Sequence, residues 1–313
     1  MMPSSKPWKN VSAKAARTFA ALVVCTLALR IGSVVAQTPP TAASFELAAS
    51  LEHAAFRVPG APSVIVHAPA RFDPHKPLQL VVFLHGYSGC VAVLMGRGET
   101  RCKPRDGKTH PGWDLGRVHD AAGTNTLFIV PQLAYMKRDG DPGAFGRAGG
   151  FRAFLEELLR GPLAPKLGAA RTLADVARID LFAHSGAYRA ALAIVEQGGL
   201  PDRLLRSVVL LDALYGETPR FAAYVERRVP EGLHFVAIGL GQGTPAREGR
   251  GLMASLRKRL PASQLAEVEA AGIADAVARH AVVIASGTPP HRLVPETHLA
   301  EVLAALHRSP APP

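Results

Sequence analysis

Apolar and polar residues alternate in blocks along most of the chain. Short, continuous apolar runs are typical of strands buried on both faces of a parallel sheet. They occupy residues 63–69, 78–86, 126–132, 178–185, 206–216, 234–241 and 281–286. Amphipathic segments with helical spacing lie between them, at 151–160, 187–197, 217–228, 248–259, 262–278 and 296–307. This alternation predicts a doubly wound α/β fold, in which functional residues collect just past the carboxyl ends of the strands.

The two ends of the chain differ from this pattern. Residues 1–36 contain five basic residues and no acidic one, and the apolar run at 19–29 is shorter than the roughly 20 residues that span a bilayer. These features predict a secretory signal peptide over 1–36, with an uncleaved membrane anchor or a lipoprotein signal at Cys25 as alternatives. We expect a linker over 37–54, one domain over 55–308, and a disordered tail over 309–313.

Composition narrows the classes of function. The chain has 313 residues, 48% of them hydrophobic, and a formal net charge of +11. Five of the basic residues belong to the predicted signal, and the others are scattered among acidic residues. Because nucleic-acid binding needs a clustered basic stripe, we expect no nucleic-acid partner. We also expect no membrane contact once the signal is removed, and the sequence does not set the oligomeric state.

Two of the three cysteines lie in the predicted domain. Cys90 and Cys102 are close in sequence, in a polar stretch, while Cys25 belongs to the predicted signal. In an oxidising compartment the pair is a candidate disulfide, and two unrelated thiols are the alternative. Two cysteines without a cluster of cysteine and histidine do not form a zinc site, so no metal is expected.

Ser185 lies at the end of the predicted strand at 178–185. It lies between a predicted strand and a predicted helix, within Ala183-His184-Ser185-Gly186-Ala187. Small flanking residues are needed at a tight strand-to-helix turn, which exposes a serine as a nucleophile beside the amides of a helix N-terminus. The alternative is a serine that only caps the helix.

The end of the run at 78–86 is a candidate oxyanion site. Gly86 allows backbone amides to turn toward a ligand, although it could serve only to make the turn. An acyl-transfer site needs donors directed at the developing negative charge. The backbone N–H groups of Tyr87 and Gly186 are the candidates.

Two further strand ends offer an acid and a base. Asp212 follows five apolar residues, where a carboxylate is costly unless it is paired. It is the best-placed acid, and a cap or a structural pair with an arginine is the alternative. His291 lies in a proline-containing loop after the last strand and is the favoured general base. His298, in the first turn of the final predicted helix, is the alternative base.

The nucleophile–acid–base order Ser185, Asp212, His291 resembles that of the α/β-hydrolase superfamily. The segment at 66–86 resembles the entry to secreted esterases of the feruloyl-esterase and polyhydroxyalkanoate-depolymerase type, and the segment at 181–192 resembles their nucleophile elbow. Alanine replaces both elbow glycines, and the acid lies one strand earlier than in many members.

The resemblance covers roughly residues 55–308. It implies a mostly parallel sheet of about eight strands with helices on both faces, and no metal or organic cofactor. It also implies a secreted or periplasmic serine hydrolase acting on a small or polymeric carboxylic ester. An amidase or peptidase with the same triad, or a catalytically inactive binding protein, are the alternative functions.

The cysteine pair gives the first testable prediction. Non-reducing mass spectrometry of protein exported by its host should find Cys90 joined to Cys102. A loop of this length gains roughly 3 kcal/mol of stability in the chain-entropy model. Alkylation of both thiols without prior reduction would contradict the pairing.

Overall fold

The structure is a computed structural model that describes residues 44–97, 112–137, 140–287 and 289–308. The predicted signal peptide, Cys102 and the predicted tail lie outside the described residues, so these predictions stay as they are. Within the part of the chain that is described, no helix is long and apolar enough to cross a membrane.

Nine strands of the described residues form one sheet, where about eight were predicted. The strands are β1 (Phe45–Ala49), β2 (Val64–Ala68), β3 (Leu78–Leu84), β4 (Leu127–Pro131), β5 (Val176–His184), β6 (Leu205–Leu211), β7 (His234–Ile238), β8 (Leu265–Glu269) and β9 (Val282–Ser286). Their order across the sheet is β1-β2-β4-β3-β5-β6-β7-β9-β8. Neighbours from β4 to β8 pair in parallel, whereas β2 runs antiparallel to both β1 and β4.

Helices cover both faces of the sheet, as predicted. They are α1 (Val91–Leu94), α2 (Leu115–Asp120), α3 (Gly150–Arg160), α4 (Ala164–Leu167), α5 (Tyr188–Gln197), α6 (Thr218–Arg228), α7 (Thr244–Leu256), α8 (Ile273–Arg279) and α9 (Val294–Arg308). Side chains alternate along each strand, so one apolar core joins the sheet to α3, α5, α6 and α7. The other core joins it to α2, α8 and α9.

Two predicted segments were wrong in part. Strand β1 lies inside the predicted linker over 37–54, because it pairs with β2 and completes that edge of the sheet. Strand β8 lies inside the predicted helix over 262–278, which the structure shortens to α8. The β8 sequence, Leu-Ala-Glu-Val-Glu, has good helix formers, but pairing with β9 at the sheet edge overrides this local preference.

A buried carboxylate ties the middle of the sheet to α9. Asp180 of β5 is fully buried, accepts a hydrogen bond from Ser207 Oγ on β6 at 2.6 Å, and contacts Arg178 Nε and His307 Nε2 at 2.8 and 3.0 Å. Burial alone would raise the pKa of Asp180, but the Arg178 charge and the hydrogen bonds from His307 and Arg178 outweigh it and hold the pKa well below its ordinary value. The carboxylate is therefore charged in the folded protein.

This network predicts a change in stability with pH. Because the folded-state pKa of Asp180 is depressed, its contribution is present above the ordinary carboxyl pKa of about 4 and is lost as the pH falls toward the folded value. Asp180→Asn should lower the free energy of unfolding at pH 7 by about 2–4 kcal/mol, because Arg178 loses its buried partner. The deficit should shrink below pH 4. Urea unfolding from pH 7 to pH 3 measures both.

Asp275→Asn, at an exposed position on α8, is the matched control and should leave the pH dependence unchanged. A deficit for Asp180→Asn that is the same at pH 3 and pH 7 would contradict the ionic role.

Candidate active site

The register of β3, β5 and β6 brings Gly86, Ser185 and Asp212 to the same edge of the sheet, at the carboxyl ends of these strands. Leu84 of β3 pairs with Ala183 of β5, and His184 pairs with Leu211 of β6. The residues that follow each strand therefore lie side by side, with Ser185 between the end of β3 and Asp212. A short 3-10 turn over Ser185–Ala187 then leads into α5.

The turn at Ser185 is tight. Ser185 has a φ of 57°, in the left-handed region that is costly for a residue with a side chain. Gly86 lies directly against it, since a Cβ built on Gly86 would be 2.6 Å from Ser185 Cβ and 3.1 Å from the Gly186 nitrogen. Position 86 therefore requires glycine because the ends of β3 and β5 approach each other closely. The sequence had suggested only that Gly86 makes a turn or directs backbone amides.

His291 joins the serine to the acid. His291 Nε2 lies 2.9 Å from Ser185 Oγ, and His291 Nδ1 hydrogen-bonds Asp212 Oδ2. The structure thus brings together the three residues predicted as nucleophile, base and acid. His298 lies elsewhere, buried on α9, where its Nδ1 hydrogen-bonds Glu301.

Asp212 is held by two donors although it is fully buried. The Leu240 N–H donates to Asp212 Oδ1 at 3.0 Å, and His291 also bonds the carboxylate. Burial and the neighbouring charge of Asp212 raise the pKa of Tyr215 to about 12, so its hydroxyl stays protonated. These bonds offset the cost of a buried charge and orient the carboxylate toward the histidine.

His184 supports the loop that carries His291, a role that the sequence did not indicate. The two imidazole rings stack with centroids 4.5 Å apart, and His184 Nε2 donates to the His291 carbonyl oxygen at 3.1 Å. Burial and the neighbouring His291 lower the pKa of His184 to about 3. The ring is neutral near pH 7, so it can stack on His291 without charge repulsion. Its position one residue before Ser185 is the only sequence signal for this role.

His85 and Gln132 fix the loop that carries Tyr87. The Leu133 N–H donates to His85 Nε2 at 2.8 Å, so the ring proton lies on Nδ1 and is donated to the Gly86 carbonyl at 2.9 Å. Gln132 Nε2 bonds the Gly89 carbonyl, and Gln132 Oε1 accepts the amide of Val91, at 3.2 and 3.1 Å. Burial lowers the pKa of His85 to about 4 and keeps this pattern of donors unchanged near pH 7.

A cavity of about 350 Å³ opens beside Ser185 and His291. Its walls are mostly apolar and include Val93, Leu94 and Trp113. Tyr87, one of the two predicted oxyanion residues, also lines it, and Gly186, the other, is the second residue of the turn that leads into α5. The cavity therefore opens directly onto the contact between Ser185 and His291, and the exposed, cationic Arg292 also lines it.

Comparisons with known proteins support the fold. No family model matches the chain, and no curated protein matches it. A serine-to-alanine mutant of the feruloyl esterase module from Clostridium thermocellum, complexed with sinapinate, is 11% identical, with a TM-score of 0.51 over 85% of this chain and 89% of that chain. A structure of a protein named FAE is also 11% identical, with a TM-score of 0.51 over 86% and 90% of the two chains. The predicted fold is thus confirmed: the chain has the α/β-hydrolase fold.

Proposed function

We propose that this chain is an exported serine hydrolase that cleaves carboxylic esters through an acyl-enzyme. The observation that carries the proposal is the contact of Ser185 Oγ with His291 Nε2 at 2.9 Å, in a histidine that also bonds the buried Asp212. Export rests on the basic and apolar pattern of residues 1–36 alone.

The geometry supports a two-step reaction. His291 Nε2 takes the hydroxyl proton as Ser185 Oγ attacks the ester carbonyl carbon, and Asp212 stabilises the imidazolium that forms. The N–H groups of Tyr87 and Gly186 are the proposed donors to the carbonyl oxygen, which becomes negative in the tetrahedral intermediate. When the intermediate collapses, the C–O bond to the alcohol breaks and the alcohol leaves with the proton from His291. Water then repeats the sequence on the acyl-enzyme and releases the acid.

The pocket and the fold relatives favour an ester with an uncharged acyl group. The cavity has mostly apolar walls, and its histidines His85 and His184 are neutral near pH 7 because burial lowers their pKa values. The charged side chain of Arg292 also lines the cavity but is exposed to solvent, so we place it at the mouth of the cavity. A structure with a similar fold is named a feruloyl esterase module. A panel of acyl esters and the matched amides, assayed with purified protein, separates an esterase from an amidase.

The triad assignment predicts the effects of replacing Ser185 and His291. Ser185→Ala should abolish labelling by a fluorophosphonate probe and lower kcat by roughly 10³-fold or more. His291→Ala should lower kcat by a comparable factor, because the three residues of a triad depend on one another and this variant removes the proposed base. Kinetics on an activated ester and gel-based labelling measure both effects.

His298→Ala is the matched control. It should keep most of the activity and lose at most about 1–2 kcal/mol of stability, because His298 packs on α9 and contacts Glu301 rather than Ser185. Loss of activity in His298→Ala with full activity in His291→Ala would reverse the assignment of the base. Labelling that persists in Ser185→Ala would exclude this nucleophile.

The close approach of Gly86 to the elbow gives a further prediction. The methyl group of Gly86→Ala must displace Ser185 or the loop that carries Tyr87, so kcat/KM should fall by about 10²-fold or more. Gly251→Ala, on α7 in open space, is the matched control and should leave kcat/KM unchanged. Full activity in Gly86→Ala would show that the loop can shift without affecting the reaction.

A further inference from the structure

Two histidines and an aspartate form a cluster on the sheet face covered by α2. His67 lies on β2, and His119 and Asp120 lie at the end of α2. One donor atom from each side chain lies within 4.8 Å of the others, and His67 Nε2 contacts Asp120 Oδ1 at 2.7 Å. The two imidazole rings meet edge to face, with centroids 5.8 Å apart.

His119 has a buried nitrogen without a partner. The residue is 1% exposed, and its Nδ1 makes no hydrogen bond. Its other nitrogen, Nε2, lies 2.7 Å from Thr126 Oγ1, which in turn lies 2.8 Å from Thr124 Oγ1. If Nε2–H donates to Thr126 and the Thr126 hydroxyl donates to Thr124, the network is satisfied and Nδ1 is left with a free lone pair. A buried polar atom without a partner is costly, and this one calls for a ligand.

The ring of His119 is also held in place. It stacks on Phe128 of β4 with centroids 5.0 Å apart and an interplanar angle of 20°. A histidine whose second nitrogen bonds a fixed oxygen, and whose ring cannot rotate freely, has the arrangement found around metal-binding histidines.

We infer that His67, His119 and Asp120 bind a single Zn²⁺ ion. Two imidazole nitrogens and one carboxylate oxygen are a donor set that suits Zn²⁺, with water in the fourth tetrahedral position. Bonds of about 2.0–2.2 Å require the donor atoms to approach one another to roughly 3.3 Å. The Asp120 side chain is 45% exposed and can turn toward the ion, whereas the buried His119 stays fixed. Binding therefore also requires a small shift of His67 toward His119. The ion takes the place of the proton that His67 Nε2 shares with Asp120. A neutral His67 then carries its single ring proton on Nδ1, and a protonated His67 releases its second proton to solvent.

The cluster is far from the proposed active site. His67 pairs with Phe128, which pairs with Val81, which pairs with Asp180. Ser185 lies five residues beyond Asp180, and β2 is three strands away from β5, so spacings of about 3.3 Å per residue and 4.8 Å per strand separate the sites by on the order of 20 Å. The ion would therefore join β2 to α2 and stabilise this side of the sheet. This inference is independent of the proposed function.

The test uses the full mature chain without an affinity tag, stripped of metal and then titrated with ZnCl₂. We expect one Zn²⁺ per chain by elemental analysis after desalting. At a free Zn²⁺ concentration 100 times Kd, Tm should rise by roughly 5–10 °C. Asp120→Asn and His67→Gln should each weaken binding by about 10-fold or more and remove most of the Tm shift. His75→Ala, at an exposed histidine outside the cluster, should keep both.

Asp120→Asn is the decisive variant, because Asp120 is half exposed and its replacement does not disturb the core. Absence of stoichiometric Zn²⁺, or unchanged binding in both Asp120→Asn and His67→Gln, would overturn the site. Absorption spectra after Co²⁺ substitution provide a second readout, since a four-coordinate site and a hydrated ion have different visible bands.

Discussion

Parallel pairing of β3, β5 and β6 is the constraint on which the proposed site depends. The register of β5 with its two neighbours sets where each strand ends, and so places Ser185 between Gly86 and Asp212. A shift of one residue would turn each strand's side chains to the opposite faces of the sheet and move these ends apart. The left-handed backbone at Ser185 and the missing side chain at Gly86 both follow from how closely the strand ends approach.

Burial gives the histidines around the proposed site different roles. His85 and His184 are buried, and burial lowers their pKa values to about 4 and about 3, so both are fixed neutral donors near pH 7. His85 holds the loop after β3 and His184 holds the loop of His291. His291 is more exposed, with both ring nitrogens engaged by Ser185 and Asp212. Histidine therefore has two roles here. His85 and His184 hold the loops around the site, and His291 is the group proposed to carry the proton.

Polar side chains are grouped at two levels along the strands. At the carboxyl ends they surround a cavity and the proposed nucleophile. Nearer the other end, Asp180 and His119 are buried, His67 is partly buried and Asp120 is half exposed, on the side of the sheet that packs on α2 and α9. These groups link secondary structure elements, and we expect them to contribute to stability. Mutations at the two levels should therefore differ in whether they change turnover or unfolding.

The sequence by itself determined the strand–helix alternation, the strand ends that carry Ser185, Asp212 and His291, and the fold class. These follow from apolar runs and turn residues, which are local properties of the chain. It misplaced β1 and β8, because pairing at a sheet edge depends on the neighbouring strand rather than on the segment's own residues. The donors to Asp212, the roles of the buried histidines and the approach of His67 to Asp120, 53 residues away, were decided only by the tertiary structure. Contacts between residues that are distant in sequence leave no periodic pattern of apolar and polar residues in the chain, because they depend on how whole elements pack.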